Sequence, residues 1–340
     1  MLDFCRQVGL KAIVVDERLR LRFDPKKGDS GIDGVLEDYE NHPALYGYFL
    51  DDEPNYHSFA RLGRIHARLR KRGSKHLHYI NVFPCYASPK QLGTPTYDEY
   101  IKKYMKMVRP SVLSYDHYAL KKKSDQPDYF ENLSIIRKYA LKNNVPAWNI
   151  IQAHDGGRVP TYDEMRWQVH TSLAYGIKGI LYFTYWATAK GKAAIVDFEG
   201  KPTMQYNNVK RINREIKTIG KLLLTLDSIA VYHTGLIPTG CTTPPSDLAI
   251  QLPSNRPLVL GCFEDPKGVE YFMLVNRNHQ QKQTVRVSVK AHVVGITEIN
   301  TTTASESAKT LQGGGFKTLL SAGQGRMFRL KSQFDYPEPK

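Results

Sequence analysis

His42-Pro43-Ala44-Leu45-Tyr46-Gly47-Tyr48-Phe49-Leu50-Asp51-Asp52-Glu53-Pro54-Asn55 decides how this chain is read. A short, aromatic and nearly uncharged run that halts on three carboxylates and a proline reads as a buried strand of a parallel sheet. Glu53 then stands at the strand's C-terminal tip, the end that faces the catalytic mouth in a β/α barrel. Alternation along the strand is expected to send Asp52 to the opposite side from Asp51 and Glu53. Crowding of carboxylates is one way to raise a carboxyl pKa, as a general acid requires.

The pattern PAL-x-GY-x-L-x-DEPN resembles the fourth-strand motif of retaining glycoside hydrolases of the large (β/α)8 clan that includes β-galactosidases. In that clan an Asn-Glu-Pro tip carries the acid/base glutamate. Asp52 stands here where the clan has Asn, and the closer likeness is to "DEP" relatives among bacterial polysaccharide-degrading enzymes. The resemblance implies Glu53 as proton donor, a carbohydrate substrate, no cofactor, and a secreted or periplasmic location.

Downstream, one alternation repeats. His78 to Pro84 reads as a strand, and Thr96-Tyr97-Asp98-Glu99 is a capping box opening a helix towards Met107. A strand from Pro110 to Tyr118, a helix from Tyr129 to Lys142 and a strand from Pro146 to His154 follow. A second Thr-Tyr-Asp-Glu box at Thr161 opens a helix closed by Gly176, Gly179 to Trp186 is a further buried strand, and Asn207 to Leu226 is the last helix. Strands alternating with helices at this interval imply parallel βαβ units. With the DEP strand as the fourth of a barrel, those after it are the fifth to eighth. Upstream only Lys11 to Asp16 reads as a strand, after a short helix from Leu2 to Val8. The expected fold class is therefore α/β, a TIM-type (β/α) barrel over residues 1–227 lacking its first two strands. It is either a truncated form starting inside the third repeat or an open six-stranded barrel.

From about Ser228 the pattern changes to short alternating strands with Gly or Asn turns: Leu258 to Phe263, Tyr271 to Asn276, Thr284 to Val289 and Gly325 to Leu330. Period-two hydrophobicity predicts an all-β sandwich over residues 228–340. It resembles the C-terminal β-domain of many glycosidases, which braces the barrel.

The chain has 340 residues and a net charge of +15. Residues 226 to 340 hold 12 Lys and Arg against 9 Asp and Glu, so +12 resides on the first 225. Such a basic half can steer anionic glycans, whereas Lys121-Lys122-Lys123 and Lys71-Arg72 also read as solvated faces. Nothing resembles a nucleic-acid-binding module, no apolar run is long enough for a membrane span, and the N-terminus lacks signal-peptide features. Cys5, Cys85, Cys241 and Cys262 have no zinc-type spacing. Cys241 and Cys262 could pair, but all four read as buried free thiols.

Glycoside hydrolysis by the common route needs two carboxyls flanking the bond. Glu53 is the candidate acid. The resemblance implies a glutamate nucleophile at the seventh tip, but that tip reads Ile151-Gln152-Ala153-His154-Asp155, with Gln152 at the corresponding position. An amide cannot be the nucleophile, so another acid serves, the mechanism differs, or hydrolysis is lost. Asp116, between Tyr115 and His117 at the sixth tip, is the preferred partner, against a plainer reading in which it orders His117. Asp155 is the reserve, although Gly156-Gly157 favours a turn role there, and Asp16 at an earlier tip could also reach the mouth.

Sugar C–H faces pack on aromatic rings while hydroxyls need polar partners. The candidate substrate-binding residues are accordingly Asp52, Asn81, Tyr115, His117, Tyr118, Trp148, Gln152, His154, Tyr185 and Trp186, with Phe83 and Tyr86 near the same tips. A competing reading assembles Asp16, Glu53, Asp116, His117 and His154 as a metal-dependent hydrolase. The His-x-His of an early strand that such enzymes carry is missing, because His76 and His78 fall at a strand's start, and no metal ligand is assigned. A non-catalytic glycan-binding barrel is the third reading.

Overall fold

Residues 1–19 and 30–333 are described by the structure, a computed structural model. In chain order the first elements are α1 (Leu2–Gln7), β1 (Ala12–Val15), α2 (Ser30–Tyr39), β2 (Leu45–Asp52), α3 (Phe59–Lys71), β3 (Leu77–Val82), α4 (Pro89–Leu92) and α5 (Tyr97–Val108). Then come β4 (Leu113–Asp116), α6 (Tyr129–Lys142), β5 (Ala147–Gln152), α7 (Tyr162–Ala174), β6 (Gly179–Phe183) and α8 (Met204–Thr225). The strands run in the sheet order β1-β2-β3-β4-β5-β6, each beside its neighbour in sequence. This is the parallel, helix-alternating sheet of a TIM-type barrel, with six strands among the described residues.

Two compact units divide the chain: Met1–Asp116 with Lys138–Trp148, and His117–Arg137 with Asn149–Lys340. In the first, α3 buries Phe59, Leu62, Ile65, His66 and Leu69, one stripe at helical spacing in an otherwise basic helix. A Cβ on Gly63 would collide with the Met107 carbonyl, so glycine is what lets α3 lie close to α5. Thr96 caps α5 by accepting a hydrogen bond from the Glu99 amide at 3.2 Å.

In the second unit α7 is buried on nearly every side. Its start is a complete capping box: Thr161 accepts from the Glu164 amide at 3.2 Å, and the Glu164 carboxylate accepts from the Thr161 amide at 2.8 Å. Burial runs from Glu164 to Ala174 because an antiparallel layer packs against this helix. A Cβ on Gly261 would overlap the backbone carbonyl of Ala174, and the His170 ring accepts from the Gly325 amide at 2.8 Å. The layer comprises β7 (Asp227–His233), β8 (Ile250–Gln251), β9 (Leu258–Glu264), β10 (Glu270–Asn276), β11 (Gln283–Val289), β12 (Val293–Ile299), β13 (Glu306–Lys309), β14 (Gly315–Leu320) and β15 (Gly325–Ser332). Six of these strands form one sheet, β13-β12-β15-β10-β9-β7, and three form the other, β14-β11-β8. Leu258, Leu260, Phe272, Leu274, Val285, Val287, Phe316 and Phe328 fill the space between them, the all-β sandwich that the alternating pattern predicts. All four cysteines are free thiols.

Candidate active site

The first unit carries the carboxylate cluster. The strand β2 is not regular: its pairing with β3 slips between Phe49 and Asp51, and Glu53 just beyond it adopts a left-handed φ of 48°. These two irregularities end the simple alternation at Glu53. Asp51 turns to α3, where the Arg61 guanidinium holds it at 2.7 Å. Asp52 turns the other way, to Asn81, as the alternation expects, and beyond the bulge the left-handed turn leaves the Glu53 carboxyl near enough to Asp116 and Asp52 to feel both charges.

On β3, Asn81 is 4% exposed and its amide Nδ2 donates to Asp116 at 2.7 Å and to Asp52 at 3.3 Å. One amide thus ties together the tips of β2 and β4. The backbone supports this: the Glu53 amide donates to the Asn81 carbonyl at 2.8 Å, and Asn81 pairs with Ser114 in register. Glu53 receives no such donor among the described residues. Burial, and then the charges of Asp116 and Asp52, push its carboxyl up to about 7. Three neighbouring acids are therefore sorted by their surroundings. Asp52 and Asp116 accept from one buried amide, and Glu53 is held in the range of a proton donor at neutral pH.

Two residues outside the expected set fix this arrangement. Tyr100 donates from its hydroxyl to the Pro54 carbonyl at 2.7 Å, and Asn55 donates to the Gln91 carbonyl at 2.7 Å while accepting from the His57 amide at 3.1 Å. The sequence signal for Asn55 is its place after a proline at a strand end, where an Asx turn forms.

Other expected residues of this unit lie elsewhere. Trp148 is the second residue of β5, at the strand's start, and stacks on Tyr46 with ring centroids 6.2 Å apart. Tyr115 is fully buried, since Ser114 and Asp116 on either side of it face Tyr79 and Asn81. Asp16 is bound by Arg18, which holds its carboxyl low, and it takes a further bond from the Tyr39 hydroxyl at 3.3 Å. His78 is buried at the base of β3 against His66, with the Nδ1 atoms 3.1 Å apart.

The second unit holds the remaining candidates. His117 is buried and bonds Asp128 at 3.0 Å. The Gln152 side chain is fully buried, its oxygen accepting from the Leu120 amide at 3.0 Å and its nitrogen donating to the Leu120 carbonyl at 3.2 Å. That amide closes a backbone pair and is shut off from solvent, which corrects its expected place at the substrate. Tyr118, His154 and Phe183 form an aromatic cluster, with Tyr118 and His154 edge to face at 4.6 Å. Asp155 lies 4.0 Å from the Lys192 ammonium. Tyr185 and Trp186 are 56% and 53% exposed, and Trp186 Nε1 donates to the Phe198 carbonyl at 3.3 Å.

No protein-family model matches this chain, and no curated protein sequence matches it. Solved structures do. α-Galactosidase I from Mortierella vinacea superposes with a TM-score of 0.54 at 10% identity, over 99% of this chain and 80% of that one. A noncanonic maltogenic α-amylase from Thermotoga neapolitana gives 0.49 at 10% identity, over 92% and 68%. The β-galactosidase from the psychrophilic Marinomonas ef1 gives 0.48 at 12%, over 66% of this chain and 53% of that enzyme. At such identities the likeness is one of fold, a TIM-type barrel with a β-sandwich. No helix among the described residues is long and apolar enough to cross a membrane.

Proposed function

We propose that this chain is a glycoside hydrolase in which Glu53 is the general acid and Asp116 the second carboxylate. The observation that carries the reading is the sorting of the three acids: a proton held on Glu53 up to about pH 7, beside two carboxylates that accept from one buried amide. In the reaction the Glu53 proton passes to the glycosidic oxygen as the bond from that oxygen to the anomeric carbon breaks. Positive charge then develops on the sugar ring, and the Asp116 carboxylate stabilises it. Asp116 then either bonds the anomeric carbon or takes a proton from a water that does so; the assignment of acid and partner is common to both courses. Asn81 acts as a positioning residue, holding the Asp116 carboxyl oriented through its amide.

The substrate in this reading is an oligo- or polysaccharide, anionic where the basic charge of the chain steers it, met outside the cytoplasm as for the enzymes whose DEP motif this chain resembles. The experiment is Asp116→Ala assayed on aryl glycosides with and without sodium azide. Loss of turnover by about a thousandfold, with azide restoring it as a glycosyl azide, supports the assignment. Wild-type turnover in Asp116→Ala removes Asp116. Glycan binding without turnover in the wild type, over a panel of plant, algal and host glycans, replaces the enzyme by a binding protein.

A further inference from the structure

The helix α8 sorts its charges in a way the fold does not need. Glu215 accepts from the Tyr162 hydroxyl at 3.1 Å and lies 3.3 Å from His170, while Arg211 sits 4.1 Å over the Tyr162 ring. The opposite arrangement holds on another face. Lys210, Arg214 and Lys217 recur at helical spacing, so they share one stripe. All three are exposed and none has an ion-pair partner among the described residues. Like charges at these spacings repel and weaken a helix. The stripe therefore brings a cost in stability with no internal compensation.

These cations line a cavity of about 620 Å³ together with Tyr182 and Tyr185 from β6 and the segment after it, and with Tyr206, one turn before Lys210 on the same helix. No carboxylate is among its lining residues. The Tyr182 phenol is fixed by donating to Asn213 at 2.9 Å, and Tyr185 is 56% exposed. A volume of this size suits a small ligand rather than a folded partner. From Lys210 to Lys217 the helix advances about 10 Å, a stretch matching a few linked sugar rings.

We propose that this cleft between β6 and α8 is a binding site for an acidic saccharide of the uronate or sulfated class. Its carboxylates or sulfates pair with Lys210, Arg214 and Lys217, its C–H faces lie on the tyrosine rings, and its hydroxyls meet the phenols. The cleft has no residue in common with the Glu53 cluster, so the proposal stands whether or not Glu53 is catalytic. A single-stranded nucleic acid offers the same two kinds of contact, but it requires a groove that tracks a long backbone, and this cavity of about 620 Å³ offers three cations within about 10 Å of helix.

Calorimetric titration of the full chain with trigalacturonate, its methyl ester and a chondroitin sulfate tetrasaccharide tests the site. Binding of at least one acidic probe is expected, about tenfold weaker in Arg214→Gln and again in Lys217→Gln, and weaker in raised salt. The ester should bind at least about tenfold more weakly than the free acid, and Glu53→Gln should bind like the wild type. Circular dichroism confirms that these exposed-site variants are folded. Equal affinity for acid and ester, failure of both acidic probes, or variants that bind like the wild type would overturn the proposal. So would a short single-stranded DNA that binds more tightly than either acidic probe and loses that affinity in the same variants.

Discussion

Replacing Glu53 by Gln should stabilise the protein at alkaline pH while disabling it. The carboxyl is raised from 4.5 to about 7, with burial the largest cause and the Asp116 and Asp52 charges next. A raised acid is at no disadvantage below its unfolded pKa and becomes a growing liability as pH climbs from 4.5 to 7, where the folded state must give up a proton it holds tightly. At about 1.4 kcal/mol per pH unit the shift sets a ceiling of about 3 kcal/mol, and because solvent reaches the half-buried carboxyl the wild type loses about 1 to 2 kcal/mol of stability across that window from this group. Glutamine has nearly the same shape and no charge to lose. Urea denaturation of wild type and Glu53→Gln should give similar midpoints at pH 4. At pH 8.5 the variant should be more stable by about 1 to 2 kcal/mol. Parallel stability curves for the two proteins would show that Glu53 titrates like an ordinary surface carboxylate, and the sorting of the three acids would fall with it.

Three further outcomes follow from packing and burial. Burial, aided by nearby Arg70, lowers His66 to about 4 and His78 to about 3, so their neutral forms support the fold fully above pH 6.5 and that support is lost as pH falls towards 3; His66→Gln with His78→Gln should flatten the acid limb of the melting temperature. Gly261→Ala should lower stability by about 1 to 3 kcal/mol, read from a thermal melt, because the new methyl meets the Ala174 carbonyl. Gln152→Ala should cost about 1 to 3 kcal/mol by leaving the Leu120 amide and carbonyl without their partner, visible as faster hydrogen exchange at the Leu120 amide.

The architecture was legible because each level of the sequence agreed with the next. The helix Tyr129–Lys142 begins and ends where its pattern predicts, and the Thr161 box opens α7 at Tyr162. The strand ending at Asp52 could be read for the same reason, as an uncharged run cut off by acids. What the sequence hid were departures from ideal geometry. A one-residue slip in β2 and a left-handed Glu53 change which acids meet, and neither leaves a mark in period-two reasoning. Trp148 groups with the tip aromatics by residue type, although a strand from Pro146 to His154 already puts it at the start, where β5 has it. The helix α3 was missed because its five buried positions, one of them His66, are diluted by four arginines and a lysine, whose charge masks the stripe. Asn81 carried a polar signal in an apolar strand, yet only the structure shows that its amide joins two carboxylates.

The most direct test of the central claim is the pH dependence of kcat/KM for Glu53→Gln and wild type on a series of aryl glycosides with leaving groups of rising pKa. If Glu53 is the proton donor, the wild type loses activity tenfold per unit above about pH 7, and the variant has no such limb. The variant should also be nearly as fast as the wild type on a dinitrophenyl glycoside and at least about a hundredfold slower on a poor leaving group or natural glycan. Wild-type rates for Glu53→Gln on the natural glycan, or a basic limb that survives the substitution, would contradict the account.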